Sequence, residues 1–395
     1  MSLPADIAAK YAAHLQYIDE HWERVTFFDK KGRGVYVGLP HPFVSPNEHI
    51  YKYDLFYWDT FFTICGLVVD RRISLAKGMV ENLMFLFRKF HIMPHRNRMY
   101  NLGTSQPPFF TSMAFEVYAR DEDKRWLRRV ARTAEAELEH VWMNRTAPEQ
   151  RIIYRDLSRY SDHFITNHSA EHESGWDMTS RFQERALDIL PVDLNSNLYK
   201  YESDLAEMYD ILKNKSCAQR YREQAAQRQQ TMTELMWNEE KGFFFDFDHR
   251  NEKQMEFWSL AGYFPMWAGL ATPEQAERMV KNLPVFERDG GVANSGPEGL
   301  LHPYRQWDYP NGWPNTTWIV FEGLRRYGYL EEAERIAKKW IDVNDKLFQE
   351  TEKFWEKYDV ENCDIGKSGA YPTQDGFSWT NAIFVRLLHE LYGQS

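Results

Sequence analysis

Cysteine is scarce in this chain, and its three copies lie far apart. Cys65, Cys217 and Cys363 are odd in number and form no CxxC pair within the 395 residues. A disulfide framework or a structural zinc site uses paired, closely spaced cysteines. The cysteine pattern therefore disfavours both and suits a reducing compartment, so we expect a cytoplasmic protein.

Long hydrophobic runs and an excess of positive charge are also missing. No uncharged apolar stretch reaches the length of a membrane-spanning helix, and residues 1–16 show no signal-peptide pattern. The formal net charge is −10 and is spread along the chain. Because nucleic acids and anionic membranes attract basic surfaces, we expect neither as a partner.

Several sequence signatures of catalysis are absent as well. There is no glycine-rich phosphate loop, no serine nucleophile elbow and no HExxH pair. His163, His168 and His172 are close in sequence but lack the context of a metal site. Metal-dependent chemistry is therefore disfavoured.

Aromatic residues, in contrast, are abundant. Phe, Tyr and Trp make up 16% of the chain, with 14 Trp, 22 Tyr and 26 Phe. Flat rings with polar tips are well suited to hold sugar rings. The composition favours a small carbohydrate as the ligand.

Helical periodicity dominates the chain, and two-residue alternation is scarce. Helices with a charged face alternate with helices that are apolar or aromatic on all sides, and the latter must be buried. This alternation predicts an all-α fold, an (α/α)6 barrel with six inner and six outer helices. The predicted helices cover 5–24, 58–70, 73–89, 106–120, 122–142, 193–213, 216–237, 257–270, 272–283, 311–327, 330–349 and 376–392.

We expect one domain over residues 1–395. Two separate helical bundles would need a linker, and no segment rich in Pro, Gly or Ser divides the chain. A repeat of fixed period is also absent, which disfavours a solenoid.

Two carboxylates stand out because each lies among aromatic residues. Asp177 follows Trp176, and Glu356 follows Trp355. Cleavage of a glycosidic bond requires one acid and one base on opposite sides of a sugar ring. Each residue also has a simpler interpretation: Asp177 as a helix N-cap and Glu356 as a charged surface residue.

Polar residues beside the predicted apolar helices allow the same two interpretations. Asp59 and Asp308 could bind sugar hydroxyls or cap a helix, and Asn97 and Gln106 could bind hydroxyls or stabilise turns. In an (α/α)6 barrel the N-termini of the inner helices open at one mouth. These residues would therefore converge on one pocket despite their spread along the chain.

Taken together, the motifs resemble the trehalase family of inverting glycoside hydrolases, over nearly the whole chain and in the same order. The matching segments are 57–60, 97–98 with 105–108, 173–182, 191–195, 306–313, 356–360, and 374 with 376–381. The resemblance implies an (α/α)6 barrel and a reaction without cofactor or metal. It also implies that Asp177 is the general acid and Glu356 the general base.

The same motifs supply candidates for substrate contacts. They are Trp58, Asp59, Asn97, Gln106, Trp176, Arg181, Gln306, Trp307, Asp308, Trp313, Tyr371, Gln374, Phe377 and Trp379. The resemblance implies hydrolysis of trehalose or a related α-glucoside. The alternatives are another α-glucoside, such as a glycosylglycerate or an α-linked disaccharide, and a sugar-binding protein without catalysis.

The chain departs from the family at polar residues that hold the sugar hydroxyls, which we call the polar clamp. Tyr51 and Thr104 stand where the family has arginines, His95 replaces an asparagine, and Ala370 replaces a glutamate. Tyrosine and threonine cannot reproduce the rigid fork of donors of arginine. We therefore predict poor activity on trehalose relative to another α-glucoside, unless Arg151, Arg155 or Arg159 supplies replacement donors.

Overall fold

The computed structural model describes residues 2–147, 149–302, 304–369 and 371–394. Within these ranges the chain forms fourteen α-helices and fourteen very short strands. The helices are α1 (Ala5–Lys10), α2 (Ala12–Val25), α3 (Tyr57–Val69), α4 (Ile73–Phe90), α5 (Phe110–Asp121), α6 (Lys124–Glu137), α7 (Asn167–Glu173), α8 (Val192–Ile211), α9 (Lys215–Met236), α10 (Phe264–Ala268), α11 (Pro273–Lys281), α12 (Pro314–Arg326), α13 (Leu330–Thr351) and α14 (Ser378–Tyr392).

Six helices form a closed inner ring. In order around the ring α3 contacts α5, α5 contacts α8, α8 contacts α10, α10 contacts α12, α12 contacts α14, and α14 returns to α3. Nearly every residue of α3 and of α14 is buried, because these helices are covered on all sides. Gly66 of α3 permits their close approach, since a Cβ there would lie 2.5 Å from Cα of Ala382.

The outer helices pack around this ring. α4 contacts α3 and α5, α6 contacts α5 and α8, and α9 packs along α8. α13 covers α12 and α14, and α2 closes the layer against α14. Each of these helices buries one face and exposes the other, which explains their charged surfaces.

The strands are two or three residues long and pair antiparallel in the loops. One three-stranded sheet matters for the site, because it joins β12, β13 and β14 beside Glu356. The strands are β1 (Thr26–Phe27), β2 (Phe43–Val44), β3 (Ile152–Tyr154), β4 (Leu157–Ser158), β5 (Ile189–Leu190), β6 (Trp237–Asn238), β7 (Phe243–Phe244), β8 (Asp246–Asp248), β9 (Lys253–Met255), β10 (Glu287–Arg288), β11 (Gly291–Val292), β12 (Asn311–Gly312), β13 (Tyr358–Asp359) and β14 (Asp364–Ile365).

The predicted (α/α)6 barrel is confirmed, and each of the twelve predicted helices has a counterpart. Four predictions of extent were wrong. The helix predicted from residue 106 begins at Phe110. The first helix is interrupted at Tyr11, the helix expected at 257–270 is a 3₁₀ turn followed by the short α10, and the start predicted at 311 lies in β12. None of the described helices is both long and apolar enough to cross a membrane.

Candidate active site

A cavity of about 260 Å³ opens at the mouth of the barrel where α3, α12 and α14 begin. We call it the barrel-mouth cavity. The helix starts and the loops between them supply its walls, so segments from residue 51 to residue 379 meet there. It is lined by Tyr51, Phe56, Trp58, Asp59, His95, Arg96, Gln106, His172, Gly175, Asp177, Trp307, Trp313, Glu356, Tyr371, Phe377 and Trp379.

Both predicted catalytic carboxylates line this cavity, as do eight of the predicted substrate contacts. The structure therefore brings together residues that are as much as 321 positions apart, from Trp58 to Trp379. The eight are Trp58, Asp59, Gln106, Trp307, Trp313, Tyr371, Phe377 and Trp379.

The other six predicted contacts do not line the cavity. They are Asn97, Trp176, Arg181, Gln306, Asp308 and Gln374. Arg181 is fully buried and makes ion pairs with Asp193 and Asp246, and the indole N–H of Trp176 also donates to Asp193. Both side chains thus belong to a buried polar network. Neither side chain lines the barrel-mouth cavity.

Gln306 and Asp308 fix the position of the loop that carries Asp177. Asp308 accepts hydrogen bonds from the backbone N–H of Ser180 and from the hydroxyl of Thr179. The amide of Gln306 donates to the carbonyl of Asp177 at 3.1 Å. These two side chains position the predicted acid, and Asp308 caps no helix in this structure.

Asn97 and Gln374 likewise have structural contacts. The Oδ1 atom of Asn97 accepts a hydrogen bond from the backbone N–H of Leu55, and its Nδ2 donates one to the carbonyl of Val37. The carbonyl of Gln374 accepts the backbone N–H of Glu356 at 2.9 Å. The two residues therefore hold backbone at the edge of the cavity rather than contributing side chains to it.

The loop of Asp177 follows α7 and is tightly constrained. Its Gly175 has a φ of +75° and lies against Trp58, where a Cβ would come within 2.6 Å of Cζ2 of the indole. Glu171 of α7 accepts the backbone N–H groups of Met178 and Thr179. Glycine is favoured at such a position because it combines positive φ with no side chain. Asp177 is thus a loop residue and not a helix N-cap.

Asp177 has the electrostatic properties of a proton donor. Burial, reinforced by the negative charge of Glu356, raises the pKa of Asp177 to about 6, although its own backbone N–H and the cation of Lys357 oppose the shift. With this pKa about half of the carboxyl carries a proton at pH 6 and about a tenth does at pH 7. General acids of glycosidases are tuned by the same two effects.

Both carboxylate oxygens of Glu356 accept hydrogen bonds from neighbouring side chains. The ammonium of Lys357 donates to Oε2 at 2.7 Å, and the hydroxyl of Tyr371 donates to Oε1 at 2.9 Å. Lys357 and Glu356 are both almost completely buried. Hydrogen bonds from a cation and from a hydroxyl fix the orientation of this buried carboxylate.

A third acid, Asp59, lies in the first turn of α3 and also lines the cavity. Burial, together with the charges of Glu356 and Asp177, raises the pKa of Asp59 to about 8. Asp59 is therefore mainly protonated at neutral pH and can donate a hydrogen bond to a hydroxyl.

Four tryptophans form one face of the cavity. Trp307 and Trp313 stack with ring centroids 4.0 Å apart and planes 2° apart. Trp379 lies edge-on to Trp313, and Trp58 contacts both Trp307 and Trp379. This face offers a rigid apolar platform of the kind on which sugar rings rest.

Sequence reasoning did not identify Phe56, Arg96, His172 and Gly175 as lining residues, nor Lys357 as a partner of Glu356. His172 stacks on His95, with ring centroids 4.4 Å apart. Burial lowers the pKa of His172 to about 4, and the pKa of His95 lies well below its usual value for the same reason. The pair is neutral at pH 7. The aromatic context of Phe56 was the one available signal, since it precedes Trp58 by two positions.

The residues that replace the family's polar clamp lie partly inside and partly outside the barrel-mouth cavity. Tyr51 and His95 line the cavity, whereas the hydroxyl of Thr104 donates to Asp162 outside it; Ala370 lies outside the described residues. The suggested replacement donors do not line the cavity either. Arg151 pairs with Glu173, Arg155 with Glu234, and Arg159 binds backbone carbonyls. Among the described lining residues, the single arginine is Arg96.

Fold and site together define a class: an (α/α)6 barrel with paired buried carboxylates above a tryptophan platform. Among the described residues, no three or more His, Cys, Asp or Glu side chains are grouped as metal ligands. Such a site has the functional groups for acid–base chemistry on a sugar.

Comparison with known proteins narrows the class, because the Trehalase family profile matches residues 9–168 and 146–392. A cytosolic neutral trehalase of Beauveria bassiana is 31% identical over 87% of the chain, and a periplasmic trehalase of Pseudomonas aeruginosa is 30% identical over 99% of it. The chain belongs to the trehalase family. It spans 58% of the Beauveria protein and 78% of the Pseudomonas protein.

Solved structures agree with this assignment. The neutral trehalase of Saccharomyces cerevisiae superposes with a TM-score of 0.79 at 28% identity, covering 94% of this chain and 76% of that one. A mannosylglycerate hydrolase of Thermus thermophilus gives a TM-score of 0.71 at 19% identity and covers 94% of this chain and 99% of that one. The second similarity concerns the fold alone.

Proposed function

We propose that the protein is an inverting α-glycosidase of the trehalase type, acting on trehalose or a related α-glucoside. The observation that carries the proposal is the pair Asp177 and Glu356 in one cavity, in contrasting environments. Asp177 is partly protonated by burial, while Glu356 has a cation at 2.7 Å. An acid and a base of this kind are the two groups that inversion requires.

The mechanism assigns one role to each carboxyl. Asp177 protonates the glycosidic oxygen as the bond to the anomeric carbon breaks. Glu356 takes a proton from a water molecule that attacks the opposite face of the sugar, and Lys357 and Tyr371 orient the carboxylate for this step. The proton lost by the acid is balanced by the one gained by the base.

The remaining lining residues are proposed to hold the sugar. Trp58, Trp307, Trp313, Phe377 and Trp379 supply apolar surface, and Asp59, Gln106 and Tyr371 supply hydrogen bonds to hydroxyls. The oxygen of Gln106 accepts the backbone N–H of Trp58, and its NH₂ group lies 3.3 Å from Nε2 of His95, so the second N–H of that group is the part available to a substrate.

The choice of substrate depends on the hydrogen-bond donors that the polar clamp offers to sugar hydroxyls. The described lining contains Arg96, but its Nε is engaged by Asn101 and its Nη1 lies 3.5 Å from Asp54. Each charged hydrogen bond lost to a sugar costs about 1.5–3 kcal/mol. We therefore propose that trehalose is a poorer substrate than another α-glucoside.

A panel of substrates tests the proposal. Released glucose is measured with trehalose, kojibiose, nigerose, maltose and glucosylglycerate, beside a matched Asp177→Asn variant. We expect kcat/KM on one of the others to exceed that on trehalose, and release by the variant to be slower by about 10²–10⁴-fold. Binding of these sugars without hydrolysis would identify a sugar-binding protein instead, and a clear preference for trehalose would refute the proposed role of the altered clamp.

We also propose that residues 1–395 form a single domain, supported by the pairing of the two chain ends, where Ser2 and Gln394 exchange backbone hydrogen bonds. Thermal unfolding in one cooperative transition is the expected result, and two separate transitions would contradict it.

A cytoplasmic location is proposed as well. It is supported by three cysteines that are free in the structure and by relatives named cytosolic neutral trehalases, although other relatives are named periplasmic. Fractionation of cells that express the chain would test the location.

A further inference from the structure

Another cavity lies on the barrel axis, at the end of the inner ring opposite the mouth. We call it the far-end cavity; its volume is about 320 Å³. All six inner helices contribute to its wall, and Arg120 and Arg326 reach it from the last turns of α5 and α12. Among the described residues, none lines both this cavity and the barrel-mouth cavity.

Buried aromatic rings separate the two cavities. Phe61 lines the far-end cavity, and Trp58 lines the barrel-mouth cavity. Phe62 is fully buried between them, with its ring centroid 4.9 Å from that of Phe61 and 6.1 Å from that of Trp58. A ligand in the far-end cavity would therefore not meet the proposed catalytic carboxyls, and an inference about this cavity does not rest on the proposed function.

Positive charge is in excess in the far-end cavity, although the whole chain has a formal net charge of −10. Four cationic side chains and two carboxylates line it. They are Glu116, Arg120, Lys200, Glu322, Arg326 and Arg386. This surplus of cations makes the cavity a candidate site for an anion.

Two of the four cations are already paired. Arg386 lies 2.8 Å from a carboxylate oxygen of Glu116 and 2.7 Å from one of Glu390. Lys200 forms an ion pair with Asp204 on its own helix, α8. The excess positive charge of the cavity therefore comes from its other two arginines.

Arg120 and Arg326 are these two residues. In the described parts of the chain, neither forms an ion pair or a side-chain hydrogen bond, and both are exposed. Their helices, α5 and α12, lie opposite each other in the inner ring, so the two guanidinium groups reach the cavity from two sides. Cations also stabilise the C-terminal turns of helices, but that role does not require two of them to line one cavity.

We propose that the far-end cavity binds a phosphate group, either as inorganic phosphate or as a small hydroxylated phosphate ester. The planar fork of arginine matches the oxygens of phosphate, and two such forks are available in Arg120 and Arg326. Glu322 contacts Arg325 at 3.4 Å only, so its oxygens can also accept hydroxyls of an ester. The volume lies near the lower limit of small-molecule sites, about 300–1,000 Å³, which favours a small ester.

The test compares three probes with the full chain by isothermal titration calorimetry at constant ionic strength. They are inorganic phosphate, glycerol 3-phosphate and glycerol. We expect both phosphates to bind with a Kd of about 1 mM or lower, glycerol 3-phosphate more tightly, and glycerol to show no binding in that range. Equal affinity for the two phosphates would assign the site to the free ion.

Variants locate the binding site. Arg120→Gln and Arg326→Gln should each weaken the binding of phosphate by about tenfold or more, because each removes charged hydrogen bonds. Arg128→Gln is the matched control, since Arg128 is exposed on α6 and does not line the cavity. It should leave the affinity for phosphate unchanged.

Three results would overturn the proposal. The first is that neither phosphate binds. The second is an equal loss of affinity in Arg128→Gln, which would identify the attraction as non-specific. The third is a lower Tm of Arg120→Gln and Arg326→Gln with unchanged affinity for phosphate, which would leave these arginines as cations that stabilise helix ends.

Discussion

The ammonium of Lys357 lies 2.7 Å from Oε2 of Glu356, and both side chains are almost completely buried. The same ammonium lies 4.7 Å from the ring centroid of Trp313 and 5.3 Å from that of Tyr371. The cation is therefore fixed between the predicted base and the aromatic wall. Its positive charge also opposes the rise in the pKa of Asp177 that burial causes. One lysine therefore acts on both predicted catalytic carboxyls.

Replacing this lysine should move the basic limb of the pH profile to higher pH. In Lys357→Met, Asp177 loses a positive charge that opposes the rise of its pKa, so this pKa rises further above about 6 and the basic limb of kcat/KM shifts upward. A fall in kcat of at least about tenfold should accompany the shift.

Lys353→Met is the control for this experiment, because Lys353 is half-exposed and pairs with Asp375 rather than with Glu356. Its profile should match that of the unmodified protein. A Lys357→Met variant with reduced activity but an unshifted basic limb would mean that the lysine contributes packing alone.

The two predicted catalytic carboxyls should be distinguishable by the leaving group. Asp177→Asn should lower kcat on a disaccharide by about 10²–10⁴-fold, because general acid catalysis contributes that much. Most of this loss should vanish with α-glucosyl fluoride, whose departure needs no proton.

Glu356→Gln removes the base, so the fluoride should restore little of its activity. Rates on both substrates would be compared for the two purified variants. If the fluoride restored both variants equally, the assignment of acid and base would be contradicted.

The buried acid Asp59 should lower the free energy of unfolding at high pH. Its pKa is about 8 in the folded protein and near its ordinary value when unfolded, so the folded state binds more protons between these pH values. Stability therefore falls as pH rises from about 4 to 8, where one pKa unit corresponds to about 1.4 kcal/mol. Asp59→Asn should remove that fall and raise Tm at pH 8.

Denaturant unfolding at pH 5 and pH 8 would measure this effect, with Asp6→Asn as the control on an exposed helix. Equal stability gains for Asp59→Asn at both pH values would mean that the Asp59 carboxyl is already charged at pH 5.

The turn before Asp177 should tolerate no side chain. Gly175→Ala combines a φ of +75° with a Cβ 2.6 Å from Trp58, so the loop or the indole must move. We expect a loss of about 1–3 kcal/mol in stability and a marked fall in kcat, since the acid is displaced.

Gly34→Ala is a matched control, because Gly34 has a φ of +54° but no atom within 4 Å of the added Cβ. It should show the backbone cost alone and keep full activity. Equal effects of the two substitutions would mean that contact with Trp58 is unimportant.

The fold could be predicted because the spacing of apolar residues along a helix indicates which of its faces are buried. α3 and α14 are mostly apolar or aromatic and are inner helices in the structure, whereas the charged faces of α6 and α13 point outward. α7 was missed, since it has seven residues and a capping box formed by Thr166 with a serine in place of the usual Glu or Gln. The short strands were missed because two or three residues show no alternation.

The site was predictable in part for a different reason. Residues at the starts of inner helices must face the mouth, which located Trp58, Asp59 and Trp379. The direction of side chains in irregular loops is set by tertiary contacts, so Arg181 could not be recognised as the partner of Asp193 and Asp246. The approach of His172 to His95 depends on a similar long-range contact.

The stereochemistry of the first product tests the proposed inversion most directly. Proton NMR would follow the anomeric signals during the first turnovers on the best α-glucoside, before the released sugar mutarotates. With Asp177 as acid and Glu356 as base, the β-anomer should appear first. Initial release of the α-anomer would show retention and contradict the assignment of Glu356 as the base that activates water.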